Sequence, residues 1–279
     1  MGRSISSFKV LILFTLFALM RCGYAAAEPY VGVALGWQFD QKFSGLEGDE
    51  SMNYPNAAVG VYPNSPNPSA ALYMNTKYSN MNLKNTLSAG IRGGYYFKSL
   101  PSLGVELEFS YSQPKILSQK VKLTHPGFND NTNGLGLGQD NQSEHQDHAK
   151  NQLFLLSLNC LYRYQGFKKI TPYIGTGPGL FIFRITGTGH SGVMTDPASI
   201  VDPVGVFGPS IHQTSVNLGL SSKIGFEYNM AHNWGLGVEY HYNWSPVRIS
   251  RFRSASSIDG NYQAQSVNLI LQHLSLIHI

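Results

Sequence analysis

The chain has 279 residues, a formal net charge of +4 and a charged fraction of only 13%, whereas soluble domains average about 25% charged residues. It contains 29 glycines and 16 tyrosines. This composition argues against a soluble enzyme and favours a membrane barrel rich in glycine and aromatic residues.

The first 27 residues are organised like a secretory signal peptide. Arg3 and Lys9 form a positive segment, the eleven residues Val10–Met20 are apolar, and Ala25–Ala27 offers the small side chains of a cleavage site. This run is too short to cross a bilayer, which takes about 20 residues of helix; a short N-terminal anchor is the alternative. We therefore predict cleavage after Ala27, export of the protein, and one barrel domain over residues 28–279.

Removal of this leader takes away three basic residues and no acidic ones, which leaves 17 basic residues against 16 acidic ones. A chain so close to neutrality does not indicate a nucleic-acid partner. One cysteine remains, Cys160, so no intramolecular disulfide can form.

Eight segments after the leader alternate between apolar side chains and small or polar ones. In the first, Tyr30–Phe39, the odd positions are Val, Val, Leu, Trp and Phe, and the even positions are small or polar. Alternation with a period of two over this length indicates a β-strand. The other seven segments are 87–97, 103–112, 154–164, 173–182, 216–228, 234–244 and 267–272.

The connections between these segments are of two kinds. About five residues form each of the short ones, at 98–102, 165–170 and 229–233. The long ones are polar and cover 40–84, 113–150, 184–213 and 245–261. Short periplasmic turns and long extracellular loops are typical of barrels in the outer membrane of Gram-negative bacteria. The sequence therefore predicts an all-β fold, an eight-stranded antiparallel transmembrane β-barrel in the cell outer membrane.

Aromatic residues near the strand ends favour a lipid-facing orientation of the apolar faces. In a soluble sandwich or a lipocalin-like barrel, which is the alternative, the glycine- and serine-rich faces would have to meet water. Membrane barrels instead carry aromatic girdles at both interfaces. The predicted girdle residues are Trp37, Phe39, Tyr95, Phe97, Phe109, Tyr111, Tyr162, Tyr164, Trp234, Tyr242 and Trp244.

Seven charged residues lie on the opposite faces of the strands and are predicted to point into the barrel. They are Arg92, Arg163 and Lys223 together with Glu106, Glu108, Glu227 and Glu239. Eight strands enclose an interior just wide enough for side chains. Charges of nearly balanced sign in so narrow a lumen are expected to form a satisfied polar network that plugs it. An ion path through the lumen is the alternative.

Two pairs of motifs resemble a known family. The run Pro29–Gly36 (PYVGVALG) is echoed at Pro172–Gly179 (PYIGTGPG), and Ile224–Tyr228 is followed by WGLGVEY at 234–240. These motifs resemble those of the OmpA-like and opacity-like outer-membrane barrels, also called porin-family or surface-antigen barrels. The resemblance implies an eight-stranded barrel whose loops serve as surface antigens or adhesive surfaces. It carries over no catalytic residue.

The end of the chain departs from that family. Such barrels normally end in an aromatic residue that the assembly machinery recognises, whereas this chain ends in the hexapeptide Leu274–Ile279 (LSLIHI). We therefore expect residues 274–279 to be a non-native end, with a divergent natural end as the alternative.

Candidate chemistry is sparse. His241 and Glu239 point inward, but the serine that a lipid-modifying hydrolase would need is replaced by an asparagine two residues on. The stretch 144–148 holds two histidines, a glutamate and an aspartate that could bind a metal ion; a solvated polar loop is the alternative. Cys160 is expected to be a small apolar residue that faces lipid.

These observations predict a non-enzymatic surface protein without a cofactor or metal. Its expected partners are outer-membrane lipid, the barrel-assembly machinery, periplasmic chaperones and host surface molecules that contact the loops, with no nucleic acid. We expect a monomer. A narrow porin-like channel for small solutes or ions is one alternative function, and a lipid-modifying outer-membrane enzyme is another.

Overall fold

The structure is a computed structural model that describes residues 28–52, 72–116, 119–124, 142–146, 149–187, 211–230, 233–250 and 255–274. The predicted signal peptide and all but the first residue of the C-terminal hexapeptide lie outside these residues. The described part of the chain consists of β-strands and their connections. It contains no helix that is long and apolar enough to cross a membrane.

Thirteen strands are described. The eight long ones are β1 (Glu28–Met52), β4 (Thr86–Phe97), β5 (Leu100–Ser112), β9 (Ala149–Arg163), β10 (Ile170–Gly187), β11 (Ile211–Asn229), β12 (Trp234–Ser250) and β13 (Ala255–Leu274). The five short ones are β2 (Leu72–Tyr78), β3 (Met81–Asn82), β6 (Lys115–Ile116), β7 (Gln119–Thr124) and β8 (Gln142–Gln146).

The eight long strands form a closed antiparallel ring in the order β1–β4–β5–β9–β10–β11–β12–β13. The ring closes because β13 pairs with β1, from Tyr30 opposite Leu274 to Glu50 opposite Ala255. Closure leaves no open sheet edge in lipid, where an unpaired backbone group would find no partner. The predicted eight-stranded antiparallel barrel is confirmed.

The two faces of the barrel wall are reversed relative to a soluble protein. On the outside, the apolar side chains of Val31, Leu35 and Leu87 are 63%, 66% and 70% exposed. On the inside, the polar side chains of Asn159 and Glu239 are fully buried. An outer surface of this kind is stable in hydrocarbon and unfavourable in water.

Several strands continue beyond their predicted extracellular ends. β1 passes Phe39 through a bulge at Asp40, whose φ is 46°, and runs on to Met52. A bulge adds one residue and so inverts the alternation of the faces, which turns Phe43 inward, where it is fully buried. The predicted loop over 40–84 is therefore wrong at its start.

The predicted connection over 245–261 is also mostly strand, because β12 and β13 stay paired as far as Ser250 opposite Ser257. In this region the inward side chains Val247 and Tyr262 are apolar, whereas the outward Arg248 and Asp259 are charged. The outer face here meets water instead of lipid. The alternation of apolar and polar residues is therefore the reverse of that in the membrane segment, and for this reason the sequence did not predict a strand here.

An apolar cluster fills the extracellular half of the barrel interior. Phe43, Phe183 and Tyr262 lie at its centre, with the ring centroid of Tyr262 5.8 Å from that of Phe43 and 5.0 Å from that of Phe183. The other members are Leu46, Met81, Leu83, Ile116, Leu153, Leu155, Phe181, Ile185, Val247, Ile258 and Ala264. The predicted charged interior therefore describes only the periplasmic half.

The short strands extend the sheet on the extracellular side. The register of β5 with β9 continues through Lys115 opposite Lys150 and Gln119 opposite Gln146, so this hairpin rises above the ring. β2 pairs with both β1 and β7. Parts of the predicted long loops are thus ordered as sheet.

The inside-out orientation predicts the cost of a charge on the outer face. Leu107 on β5 is 53% exposed. Leu107→Arg is expected to lower the free energy of unfolding by about 2–4 kcal/mol, because an arginine at the bilayer midplane costs that much. Urea unfolding of the protein in lipid vesicles measures the change.

The matched control is Leu100→Arg at the periplasmic turn, where Leu100 is 56% exposed. There the expected loss is about 0–1 kcal/mol, because the charge reaches the interface. Equal losses at the two positions would contradict the orientation.

Candidate functional site

The periplasmic half of the lumen holds a cluster of buried charges, here called the lumen network. Arg92 on β4 donates to Glu239 on β12 at 2.8 Å, and Glu106 on β5 lies 3.6 Å from the same guanidinium nitrogen. Lys223 on β11 donates to Glu106 and, at 2.5 Å, to Glu108. Lys223 also lies 3.8 Å from Glu239. Each cation therefore contacts carboxylates from both β5 and β12, which satisfies charges that cannot reach water.

Two tyrosines complete the coordination of the glutamates. The hydroxyl of Tyr30 donates to Glu106 at 2.8 Å, and the hydroxyl of Tyr173 donates to Glu239 at 2.6 Å. Sequence reasoning missed both roles. The available signal was the repeated Pro-Tyr motif, since it places a tyrosine at the inward position near the start of β1 and of β10.

Glycines make room for these tyrosines. Gly94 lies directly opposite Tyr30, and a Cβ atom there would come within 2.7 Å of the Tyr30 hydroxyl. Gly225 lies opposite Tyr173 and would bring a Cβ atom within 3.1 Å of its ring. A side chain at position 94 or 225 would therefore crowd both the tyrosine and a backbone carbonyl of the neighbouring strand.

His241 joins the lumen network through a contact between its Nε2 and Glu239. Ligand atoms of Glu108, Glu239 and His241 all lie within 4.8 Å of one another, the spacing that a metal ion needs. The ammonium group of Lys223 already bonds Glu108 and lies 3.8 Å from Glu239. The place of a cation is therefore taken by a side chain.

Glu227 and Arg163 lie apart from the central charges. Glu227 accepts from Gln272 at 2.5 Å, and Arg92 donates to the same Gln272 at 3.4 Å, so Glu227 joins the lumen network through an amide. Arg163 does not reach the lumen network. It donates to Glu28 at 2.5 Å and to the carbonyl oxygen of Pro101 at 2.7 Å.

A pocket of about 410 Å³ opens at this periplasmic mouth. Its charged lining residues are Glu28, Arg163 and Glu227, and Trp234 and Phe167 stand among its apolar ones. The guanidinium of Arg163 also stacks on the ring of a buried tyrosine at 3.7 Å. Arg163 therefore lines this pocket and pairs with Glu28 instead of neutralising the central glutamates.

The eleven predicted girdle aromatics all lie on the outer face, and none of them is buried. Toward the periplasmic ends of the strands stand Tyr95, Phe97, Tyr162, Tyr164 and Trp234; toward the extracellular ends stand Trp37, Phe39, Phe109, Tyr111, Tyr242 and Trp244. Neighbouring rings contact each other, and the centroids of Tyr95 and Phe97 are 5.2 Å apart.

The hydrolase alternative finds no support in the lumen. His241 is buried there instead of lying at the outer interface, and the hydroxyl of Ser245 donates to the carbonyl oxygen of Pro246 at 2.8 Å. The side chains of the predicted metal group at 144–148 lie outside the described residues. Cys160 is exposed on the outer face.

The profile of the outer membrane protein β-barrel domain family matches residues 10–271. The chain belongs to this family. The protein is thus a β-barrel of the outer membrane. No curated protein sequence is significantly similar to it.

Several solved barrels are similar to this outer-membrane protein in fold. Neisserial surface protein A is 10% identical, with 89% of this chain and 98% of that chain covered and a TM-score of 0.43. OprG from Pseudomonas aeruginosa is 13% identical, with 89% and 97% covered and a TM-score of 0.42. The protease OmpT from Escherichia coli is 9% identical, with 91% and 100% covered and a TM-score of 0.42.

The lumen network predicts a large effect for removal of one buried cation. After Lys223→Met, Arg92 would be the only central cation left beside three buried carboxylates. We expect it to lower the free energy of unfolding of this outer-membrane barrel by about 3–5 kcal/mol, the usual loss when one partner of a buried pair is removed. Urea unfolding in vesicles measures the loss.

Lys77→Met is the matched control, because Lys77 pairs with Glu47 at 3.7 Å with both side chains about half exposed. Exposed pairs contribute little, so this variant should unfold like the unmodified protein. Similar losses for the two variants would mean that the lumen network stabilises no more than a surface pair.

Proposed function

We propose that this outer-membrane barrel is a non-enzymatic surface protein. Its extracellular loops and strand extensions make contact with external surfaces, including host molecules, while the lumen stays closed. The main support is the height of the barrel wall on the extracellular side. β1 alone continues for 13 residues beyond Phe39, to Met52, which is about 40 Å of extended strand.

The strand extensions give the loops a firm base. β1, β2, β7 and β8 pair with one another in that order. The connection from β1 to β2 and the connection from β7 to β8 therefore both begin and end on one sheet. Binding residues in proteins are commonly carried by loops on a rigid scaffold. An extended sheet above the membrane is such a scaffold.

The filled interior supports a closed lumen. The apolar cluster occupies the extracellular half, and the lumen network occupies the periplasmic half. A solute would have to displace both layers. Close packing of this kind resists rearrangement.

The outer apolar face supports the remaining partners of the proposal. The barrel works as a monomer in outer-membrane lipid, with periplasmic chaperones and the barrel-assembly machinery as its partners during insertion. Its charge balance gives no reason for a nucleic-acid partner.

A narrow channel for small solutes or ions is the second candidate. It is favoured by polar residues in the lumen, since Asn159, Ser221 and Asn243 each carry an oxygen without a hydrogen-bond partner among the described residues. Polar atoms of this kind could line a path.

Loop trimming tests surface binding. Residues 53–71 are replaced by Asn-Gly, which suits a two-residue hairpin between Met52 and Leu72, the last pair of β1 with β2. Residues 124–141 are replaced in the same way between Leu123 and Gln142, the last pair of β7 with β8. Binding of the protein in vesicles to host cells and to immobilised extracellular matrix is then measured. We expect the trimmed protein to lose binding.

The control is the full chain with Lys168 and Lys169 replaced by alanine in a periplasmic turn, which should leave binding unchanged. Heat-dependent mobility in gel electrophoresis checks that each variant is folded. Equal binding by the trimmed and the full protein would refute the role of the loops.

Conductance in planar bilayers separates the two candidates. We expect no steady unit currents from the unmodified protein, because two packed layers block its lumen. Steady currents whose size changes on Glu106→Gln or Arg92→Gln would favour the channel and contradict a closed lumen.

A further inference from the structure

One tetrapeptide occurs twice in the barrel at corresponding places. Leu-Gly-Val-Glu forms residues 103–106 on β5 and residues 236–239 on β12. β5 is the third strand of the ring counted from β1, and β12 is the third counted from β10. The Pro-Tyr motif likewise opens β1 and β10. The ring thus divides into a first half of β1, β4, β5 and β9 and a second half of β10 to β13.

The register inside the two halves is the same. In each half the tyrosine lies opposite a glycine, and that glycine lies opposite the glutamate: Tyr30–Gly94–Glu106 in the first and Tyr173–Gly225–Glu239 in the second. The hydrogen bonds from tyrosine to glutamate are also the same, at 2.8 and 2.6 Å.

The correspondence extends to the cations and to the fourth strands. Arg92 lies two residues before Gly94, and Lys223 lies two residues before Gly225. Glu106 faces Asn159 on β9, and Glu239 faces Asn268 on β13. An inward serine lies two residues before each asparagine, Ser157 in the first half and Ser266 in the second.

We infer that the barrel is built from two equivalent four-stranded repeats, and that each repeat carries a tyrosine–glutamate site that binds the cation of the other repeat. Lys223 of the second repeat donates to Glu106 of the first. Arg92 of the first donates to Glu239 of the second at 2.8 Å. The partner that each inner surface fits is therefore a second unit of its own kind.

The binding is reciprocal and buried. Within each repeat the tyrosine donates to the glutamate, and the cation of the other repeat donates to the same carboxylate. A buried glutamate without its cation is strongly unfavourable. The pairs are complete only when both repeats face each other, so they favour the closed ring over an open sheet.

Apart from the cations, Arg92 and Lys223, the repeats differ at one position at the centre of the lumen network. Glu108 in the first corresponds to His241 in the second, because Arg92 lies opposite Glu108 and Lys223 lies opposite His241. The seams between the repeats also differ, since Arg163 faces Tyr173 at one seam and Leu274 faces Tyr30 at the other. The residues inside the two repeats therefore correspond, but the seams that join the repeats do not.

Exchange of Glu108 and His241 tests the equivalence in the full chain. His241→Glu alone puts a fourth carboxylate beside two cations and should lower the urea midpoint in vesicles. Adding Glu108→His gives the exchange variant, in which positions 108 and 241 have traded residues. We expect this variant to recover the midpoint of the unmodified protein.

The charge-matched control combines His241→Glu with Glu106→His. It has the same composition and the same lumen charge as the exchange variant, but it removes the acceptor of Tyr30 and Lys223. We expect it to stay at or below the midpoint of His241→Glu alone. Recovery in both double variants, or in neither, would overturn the equivalence of positions 108 and 241.

A second exchange keeps the test independent of those positions. Arg92→Lys combined with Lys223→Arg trades the cations between the repeats. Equivalent sites should accept either cation, so the double variant should fold and keep the unmodified midpoint. Loss of folding here, measured by heat-dependent mobility in gel electrophoresis, would overturn the proposal whatever the first exchange shows.

Discussion

Lipid hydrocarbon offers no hydrogen-bond partner to a peptide group, so each backbone group of a spanning sheet must be satisfied by the next strand. The pairing of β13 with β1 meets this demand. Closure after eight strands leaves room only for side chains inside. Charged residues that point there cannot be solvated and must pair with each other, as Glu106 does with Lys223. The lumen network is thus a consequence of closure.

The sequence predicted the membrane part of each strand, because lipid outside and a polar lumen inside produce a visible alternation. It did not predict the extracellular extensions. Beyond Phe39 and Trp244 the outer face meets water and the inner face meets the apolar cluster, so the alternation is reversed. The bulge at Asp40 hides the continuation of β1 still further. If the outer face is assumed to meet lipid along the whole strand, the predicted strand ends where that face passes into water.

The candidate site was predictable in membership but not in pairing. Alternation alone predicted that the side chains of Arg92, Lys223 and the glutamates point inward. The choice of partners depends on which strands meet across the lumen, and Arg92 and Glu239 lie 147 residues apart in the chain. Arg163 shares the inward face but sits too near the mouth to reach the central glutamates. The tyrosines of the Pro-Tyr motifs were missed because a single polar residue on a small-residue face carries no sign of its partner.

The reversal of the wall also fixes the depth at which the barrel sits. Its outer surface changes from apolar to charged near Lys42, Arg184 and Arg248. Sinking would bring these cations into hydrocarbon, and rising would expose leucine and valine side chains to water. Mismatch between an apolar band and the bilayer has a cost for every ångström. The barrel should therefore sense membrane thickness and be most stable in a bilayer that matches its band.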